Sequence, residues 1–143
     1  MSIIGIDYGR RRVGLALSDA GGRVAVPLVV IDRRSDPDWI GTIARLAAEY
    51  EIARFVVGLP LRTDMQYSEM ADEATAFGNQ LHEQTGLPVE MWDERFSTAS
   101  AERVLMDANM SRAKRKAKLD KVAAQVILQS YLDTKRRTEP END

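Results

Sequence analysis

The sequence contains no cysteine, which removes disulfides, thiolate nucleophiles and cysteine-ligated zinc from consideration. Histidine is almost as scarce. His82 stands alone, so neither a catalytic triad nor a histidine-rich metal site can be assembled within one chain. No apolar run approaches the roughly 20 residues that cross a bilayer, and no basic segment followed by an apolar signal core opens the chain. The expectation is a cytoplasmic protein with no membrane partner. A strong charge of either sign is missing too: 20 Lys and Arg against 22 Asp and Glu leave −2, so attraction to nucleic acid would have to come from clustered cations. What the chain holds in quantity is carboxylate. With 143 residues and 44% hydrophobic content it can bury one compact core. The reading is a single domain over residues 1–135, followed by a flexible polar tail at 136–143.

The apolar run Ile3 to Ile6 ends on Asp7 and turns at Gly9, as a strand buried on both faces would. A carboxylate there is costly to hold unless a cation or hydrogen-bond donors neutralise it. Val13 to Asp19 alternates as a second strand, too close in sequence for a parallel crossover, so the two make an antiparallel hairpin. Gly21 and Gly22 turn the chain into a third strand, Arg23 to Ile31, where Pro27 lacks a ladder donor and points to a sheet edge. From Ser35 or Asp36, either able to cap, with Pro37 in the first turn, the period becomes helical. Trp39, Ile40, Ile43, Leu46, Ala47 and Tyr50 then share a face.

Arg54 to Leu59 is a fourth strand, reached through a helix and so parallel to the first. A second helix spans about Ser68 to Gln84, with Gly86 placed to stop it. Leu87 to Trp92 is a fifth strand. A third helix starts near Ser97 or Thr98 and ends at about Ala108. A basic segment, Ser111 to Lys118, leads into a last helix with the apolar stripe Leu119, Val122, Ala123, Val126, Ile127 and Tyr131. This order gives an α/β protein with a five-stranded mixed sheet, a three-strand antiparallel meander plus two parallel strands, flanked by helices. It matches the ribonuclease H-like (RNase H-like) fold.

Such a topology brings together Asp7 after the first strand, Glu94 with Asp93 beside it after the fifth, and Asp120 on the last helix. The ends of parallel strands open onto one edge, where ligand sites of open sheets gather. Taken singly, each acid has an ordinary explanation as a turn cap or a surface ion pair. Together, three carboxylates in a cleft favour hard cations with oxygen ligands, magnesium or manganese. Two such ions roughly 4 Å apart can activate a water and stabilise a leaving oxygen, which is the chemistry of phosphodiester hydrolysis. Arg10, Arg11 and Arg12 border Asp7, while Arg112, Lys114, Arg115, Lys116 and Lys118 precede Asp120. Charge runs are by default solvated faces. These flank the proposed ligands, where phosphates of a long anionic substrate would be held, and Arg62 and Arg95 extend that surface. His82 is read as a surface or packing residue; Trp39, Phe77 and Trp92 are read as core.

These segments resemble the YqgF family, also called RuvX. The resemblance rests on Gly5-Ile6-Asp7-Tyr8-Gly9, on Arg12 to Ala16 with Ser18-Asp19, and on Val57-Gly58-Leu59-Pro60-Leu61. It continues through Asp93-Glu94-Arg95-Phe96-Ser97-Thr98 and Lys118 with Asp120, Ala123-Ala124 and Ile127-Leu128. It implies an RNase H-like fold, divalent-metal nuclease activity and maturation of the 5′ end of 16S ribosomal RNA, alongside an older proposal of Holliday junction resolution. It also implies that Asp7, Glu94 and Asp120 hold the acidic positions, with Asp93 as a substitute for or helper of Glu94. One departure stands out: the family's Asn and Asp-Gly after Leu61 are here Arg62-Thr63-Asp64-Met65-Gln66.

The expectation is therefore a metal-dependent endonuclease acting on structured nucleic acid, monomer or homodimer. Sugar kinases and actin-like ATPases share the opening strand and Asp-Gly turn, but need two such domains to enclose a nucleotide. A nucleic-acid-binding ribosome-assembly factor with a vestigial site is the alternative from another class.

Overall fold

The computed structural model describes residues 2–59, 65–94 and 112–138, the side chains of 65–68, 112–121 and 137–138 excepted. Strands β1 (Ile3–Asp7), β2 (Arg12–Ser18) and β3 (Ala25–Asp32) form the meander. Helix α1 (Trp39–Glu49), β4 (Arg54–Leu59), α2 (Met65–Thr85), β5 (Val89–Asp93) and α3 (Arg112–Thr138) follow. The sheet order is β3-β2-β1-β4-β5. β1 is antiparallel to β2 and parallel to β4, and β4 is parallel to β5. This is the expected five-stranded mixed sheet.

Two apolar layers enclose it. Ile4, Ile6, Val13, Leu15, Phe55 and Val57 face α1 and α2, where Ile43, Phe77 and Leu81 meet them. Ala16, Ala25 and Val56 face α3 through Ala124, Ile127, Leu128 and Tyr131. Each fully buried Ile, Leu or Phe contributes about 1.5–3 kcal/mol through removal from water. The central strands are buried on both faces, which is why their sequences are near-continuous apolar runs without polar alternation.

β3 is the edge strand that Pro27 indicated. The N–H of Ala25 donates to Gln129 Oε1 (2.9 Å), and its carbonyl accepts from Gln125 Nε2 (3.0 Å). Ala25 therefore points its backbone groups outward. Pro27, two residues on, faces the same way and forfeits no ladder bond, and the register shifts beside it.

Several boundaries differ from the sequence reading. α1 begins at Trp39, with Asp38 before it, because Ser35 and Asp36 are drawn into a turn whose N–H groups donate to the Asp32 carbonyl. Asp36 serves α1 through its side chain, which accepts from Thr42 Oγ1 (2.5 Å). Tyr50, assigned to the apolar face, is exposed. The basic segment from Arg112 does not precede α3 but is its first turns. Its Arg, Ala and Lys residues are good helix formers, with no Gly or Pro to interrupt them. At the other end α3 continues to Thr138, beyond residue 135, and Arg136 pairs with Asp133 (2.6 Å). Gly86 stops α2 as expected, at φ 74°, with its N–H donating to the His82 carbonyl (2.7 Å). The helix expected near 97–108 and the tail at 139–143 lie outside the described residues. Among the described residues, no helix is long and apolar enough to cross a membrane.

Candidate active site at the carboxyl edge of the sheet

Asp7 closes β1, and the register decides which way it faces. Asp7 lies opposite Gly14 of β2, while Ile6 pairs with Val57, so Gly58 is level with Asp7 on β4. Side chains alternate along a strand. Gly5, Ala16 and Val56 are on the α3 side, and so are Asp7, Gly14 and Gly58, each two residues away along its own strand. Asp7 thus stands between two glycines on neighbouring strands about 4.8 Å away. No side chain from either flanking strand fills the floor around it. Trp92, paired with Gly58, bounds the floor on the β5 side, set edge-on to Tyr131 (5.3 Å) with Nε1 donating to Ser130 Oγ (3.3 Å).

Glu94 follows β5 directly and reaches back over this floor. A Cβ added at Gly58 would stand 2.7 Å from Glu94 Oε1 and 3.1 Å from its Cγ. Only glycine leaves that space, and the Glu94 carboxylate fills it on the strand next to Asp7. Asp93 pairs with Leu59 and alternates to the α1/α2 face. Of the adjacent acids, Glu94 is the one brought to the side of Asp7.

α3 runs antiparallel to β4. Arg54 at the start of β4 donates to the Tyr131 hydroxyl (3.2 Å), while Ile127 reaches Gly58 near its end. The earlier turns of α3 therefore lead toward the edge carrying Asp7. Asp120 sits one turn before Ala124, whose carbonyl lies over Gly5. The Asp120 side chain is outside the described residues. Among the described residues, no three Asp, Glu or His side chains form a group able to hold a cation. The Asp7 and Glu94 pair supplies oxygen donors alone, the set that hard divalent cations prefer.

The expected phosphate contacts divide. Arg12 shares the α3 face with Gly14 and is exposed at the rim of the floor. Arg10 turns to the other side and binds Glu73 of α2 through Nε (3.0 Å) and Nη2 (2.5 Å). Hydrogen bonding to Arg10 holds the Glu73 carboxyl below the usual carboxylate range, and the same contact raises Arg10. Arg62 and Arg95, and the side chains of Arg112, Lys114, Arg115, Lys116 and Lys118, lie outside the described residues.

Two residues beside the site escaped the sequence reading. Arg33 Nη1 donates to the Gly9 carbonyl (3.1 Å), and its guanidinium lies 4.4 Å over the Trp39 ring. It thereby clamps the turn that follows Asp7. Glu73 holds that turn from α2. Neither belongs to a motif or an apolar period. The sequence offers only an Arg pair, Arg33-Arg34, at a strand end and an acid on a helix, both too common to select. His82 is exposed, its Nδ1 2.7 Å from the Leu87 carbonyl, in keeping with a surface role.

A family model described as RuvX, Holliday junction resolvase, matches residues 1–134. A protein of Symbiobacterium thermophilum named "Putative pre-16S rRNA nuclease" is 45% identical over 142 residues, 99% of each chain. One of the same name from Halothermothrix orenii is 43% identical over 133 residues, 93% of this chain and 95% of the relative. Among solved structures, Thermus thermophilus RuvC in complex with a Holliday junction substrate superposes with TM-score 0.67 at 13% identity, covering 96% of this chain and 97% of that one. The fowlpox virus Holliday junction resolvase gives 0.55 at 15% identity, covering 94% and 99%. At such identities the two structures speak for the RNase H-like fold alone.

Proposed function

This chain belongs to the RuvX family, and from that premise we propose a divalent-metal-dependent endonuclease of structured nucleic acid that matures the 5′ end of pre-16S rRNA. Its reaction is phosphodiester hydrolysis. The observation that carries the reading is the Glu94 carboxylate standing over Gly58, on the strand beside Asp7.

Asp7, Glu94 and Asp120 would hold two magnesium or manganese ions. The open glycine floor and the all-oxygen donors support that assignment. When bound, such ions lower the pKa of a water and stabilise the leaving oxygen. The chain's own contribution is position. Glu94 is fixed by its fit into the space above Gly58, and Asp7 by the pairing of β1 on both sides. Arg12, on the same face, would bind the phosphate next to the scissile bond. Arg10, Arg62, Arg95 and the cations of the first turns of α3 (Arg112, Lys114, Arg115, Lys116 and Lys118) would track the strand beyond it.

A second reading, resolution of four-way DNA junctions, is favoured by the family model's description. It requires a dimer, because two symmetric strands must be cut. The test is cleavage of a precursor 16S rRNA fragment and a four-way junction in parallel, with magnesium and with manganese, together with sizing in solution. Cleavage of the RNA at its mature 5′ end by a monomer supports the first reading. Paired symmetric cuts in the junction by a dimer support the second. Inertness toward both with either ion refutes the nuclease assignment.

A further inference from the structure

The turn after Asp7 presents one cation that is already engaged by an anion of the chain itself. Arg10 Nε donates to both Glu73 oxygens (3.2 and 3.0 Å) and Nη2 to Oε2 (2.5 Å). Glu69, one helical turn earlier on α2, stands 3.8 Å from the same Nη2, and the Tyr8 hydroxyl donates to Glu73 Oε1 (3.4 Å). The planar guanidinium fork fits a carboxylate and a phosphate in the same two-pronged way. Arg10 and Glu73 side chains are 51% and 37% exposed. A strand lying along this edge can therefore reach Arg10 without unfolding anything.

We infer that the Glu73 carboxylate occupies the place of a substrate phosphate on Arg10, which makes Glu73 a built-in competitor that sets how many other contacts a nucleic acid must make to bind the nuclease. It rests on the reading of this edge as a nucleic-acid surface. A ligand bringing one phosphate to Arg10 exchanges one ion pair for another and gains little. A structured nucleic acid that also engages Arg12 and the cations beyond it displaces Glu73 in the course of binding. Glu73 thus weakens every complex by a similar factor, and the ligands lost are those with few other contacts.

Exposed ion pairs of this kind shift equilibria by about two- to fivefold. The experiment is fluorescence-anisotropy binding of a labelled precursor rRNA hairpin and a labelled single strand, in chelator so that nothing is cut, across a salt series. Glu73→Gln keeps the size of the side chain and an acceptor for Tyr8 and Arg10. It should tighten both complexes by a similar factor, about two- to fivefold, so that the weakly held single strand becomes measurable at lower protein concentration. Arg10→Ala should weaken hairpin binding and lower the salt slope by about one. In the Arg10→Ala background, Glu73→Gln should have no effect. Glu83→Gln, an exposed acid ten residues further along α2 and so about 15 Å away, controls for loss of net charge and should change nothing.

If Glu73→Gln binds no more tightly than the unaltered chain, or if its gain survives removal of Arg10, the inference is overturned while the nuclease reading stands. If the unaltered chain binds neither nucleic acid, both fall together.

Discussion

Adding one methyl group at Gly58 probes the floor of the site. Its Cβ would stand 2.5 Å from Ile127 Cδ1, 2.7 Å from Glu94 Oε1 and 3.1 Å from Glu94 Cγ. Non-bonded carbons settle at about 3.5–4.0 Å. The Ile127 tip can rotate aside, but Glu94 must withdraw by about 1 Å. Overpacking costs about 1–3 kcal/mol, and the entropy recovered on replacing a strand glycine returns roughly 0.5–1 of it. The net destabilisation of Gly58→Ala should thus be about 0.5–2 kcal/mol, read from urea unfolding. Activity should fall much further, because a displacement near 1 Å in a reacting site costs on the order of 100-fold. The assay is single-turnover cleavage with saturating magnesium, under conditions where the variant is fully folded. Gly78→Ala is the control: its Cβ would meet Met91 Sδ and Val89 Cγ1, both at 3.2 Å, on the far side of the sheet and away from Asp7 and Glu94. That variant should keep its rate. A Gly58→Ala protein cleaving at the unaltered rate would refute the claim that Glu94 works from above β4.

Asp7→Asn should abolish cleavage while unfolding and nucleic-acid binding stay near those of the unaltered chain; retained turnover would remove Asp7 from the mechanism. Arg33→Ala removes the Gly9 contact and the stacking over Trp39, for a loss of about 1–2 kcal/mol in urea, with Arg33→Lys intermediate. Glu51 adopts φ 53° in the turn that ends α1, so Glu51→Gly should stabilise the fold by about 1 kcal/mol in the same measurement. Asp19 accepts the N–H groups of Val24 and Arg23, which hold its carboxyl below the ordinary value. A lowered folded-state pKa gives stability that is present above the unfolded value near 3.9 and is lost as pH falls through the folded one. Unfolding midpoints of the unaltered chain and Asp19→Asn should therefore differ at pH 7 and converge in acid.

How much could be read beforehand followed from how local the cause was. The strands announced themselves through β-branched runs, and Gly86 through a left-handed position that only glycine takes easily. Pro27 marked the edge, although the glutamines that occupy that edge come from a helix about a hundred residues away. Asp7 and Glu94 could be proposed from topology. Choosing Glu94 over Asp93 required the pairing register, since adjacent residues point to opposite faces. Helical periodicity misplaces the start of α1, because it cannot register the carbonyl of Asp32, which holds Ser35 and Asp36 in a turn. The Arg10–Glu73 pair was out of reach for a similar reason. Its partners are 63 residues apart, and nothing in either neighbourhood names the other.

The most direct test of the shared acidic site is calorimetric titration with manganese of the unaltered chain and of Asp7→Asn, Glu94→Gln and Asp120→Asn. Convergence of the three carboxylates predicts that the unaltered chain takes up manganese and that each substitution alone weakens or removes that binding. Undiminished binding in Asp120→Asn would mean that α3 brings no ligand to the floor, and the account of the site would be wrong.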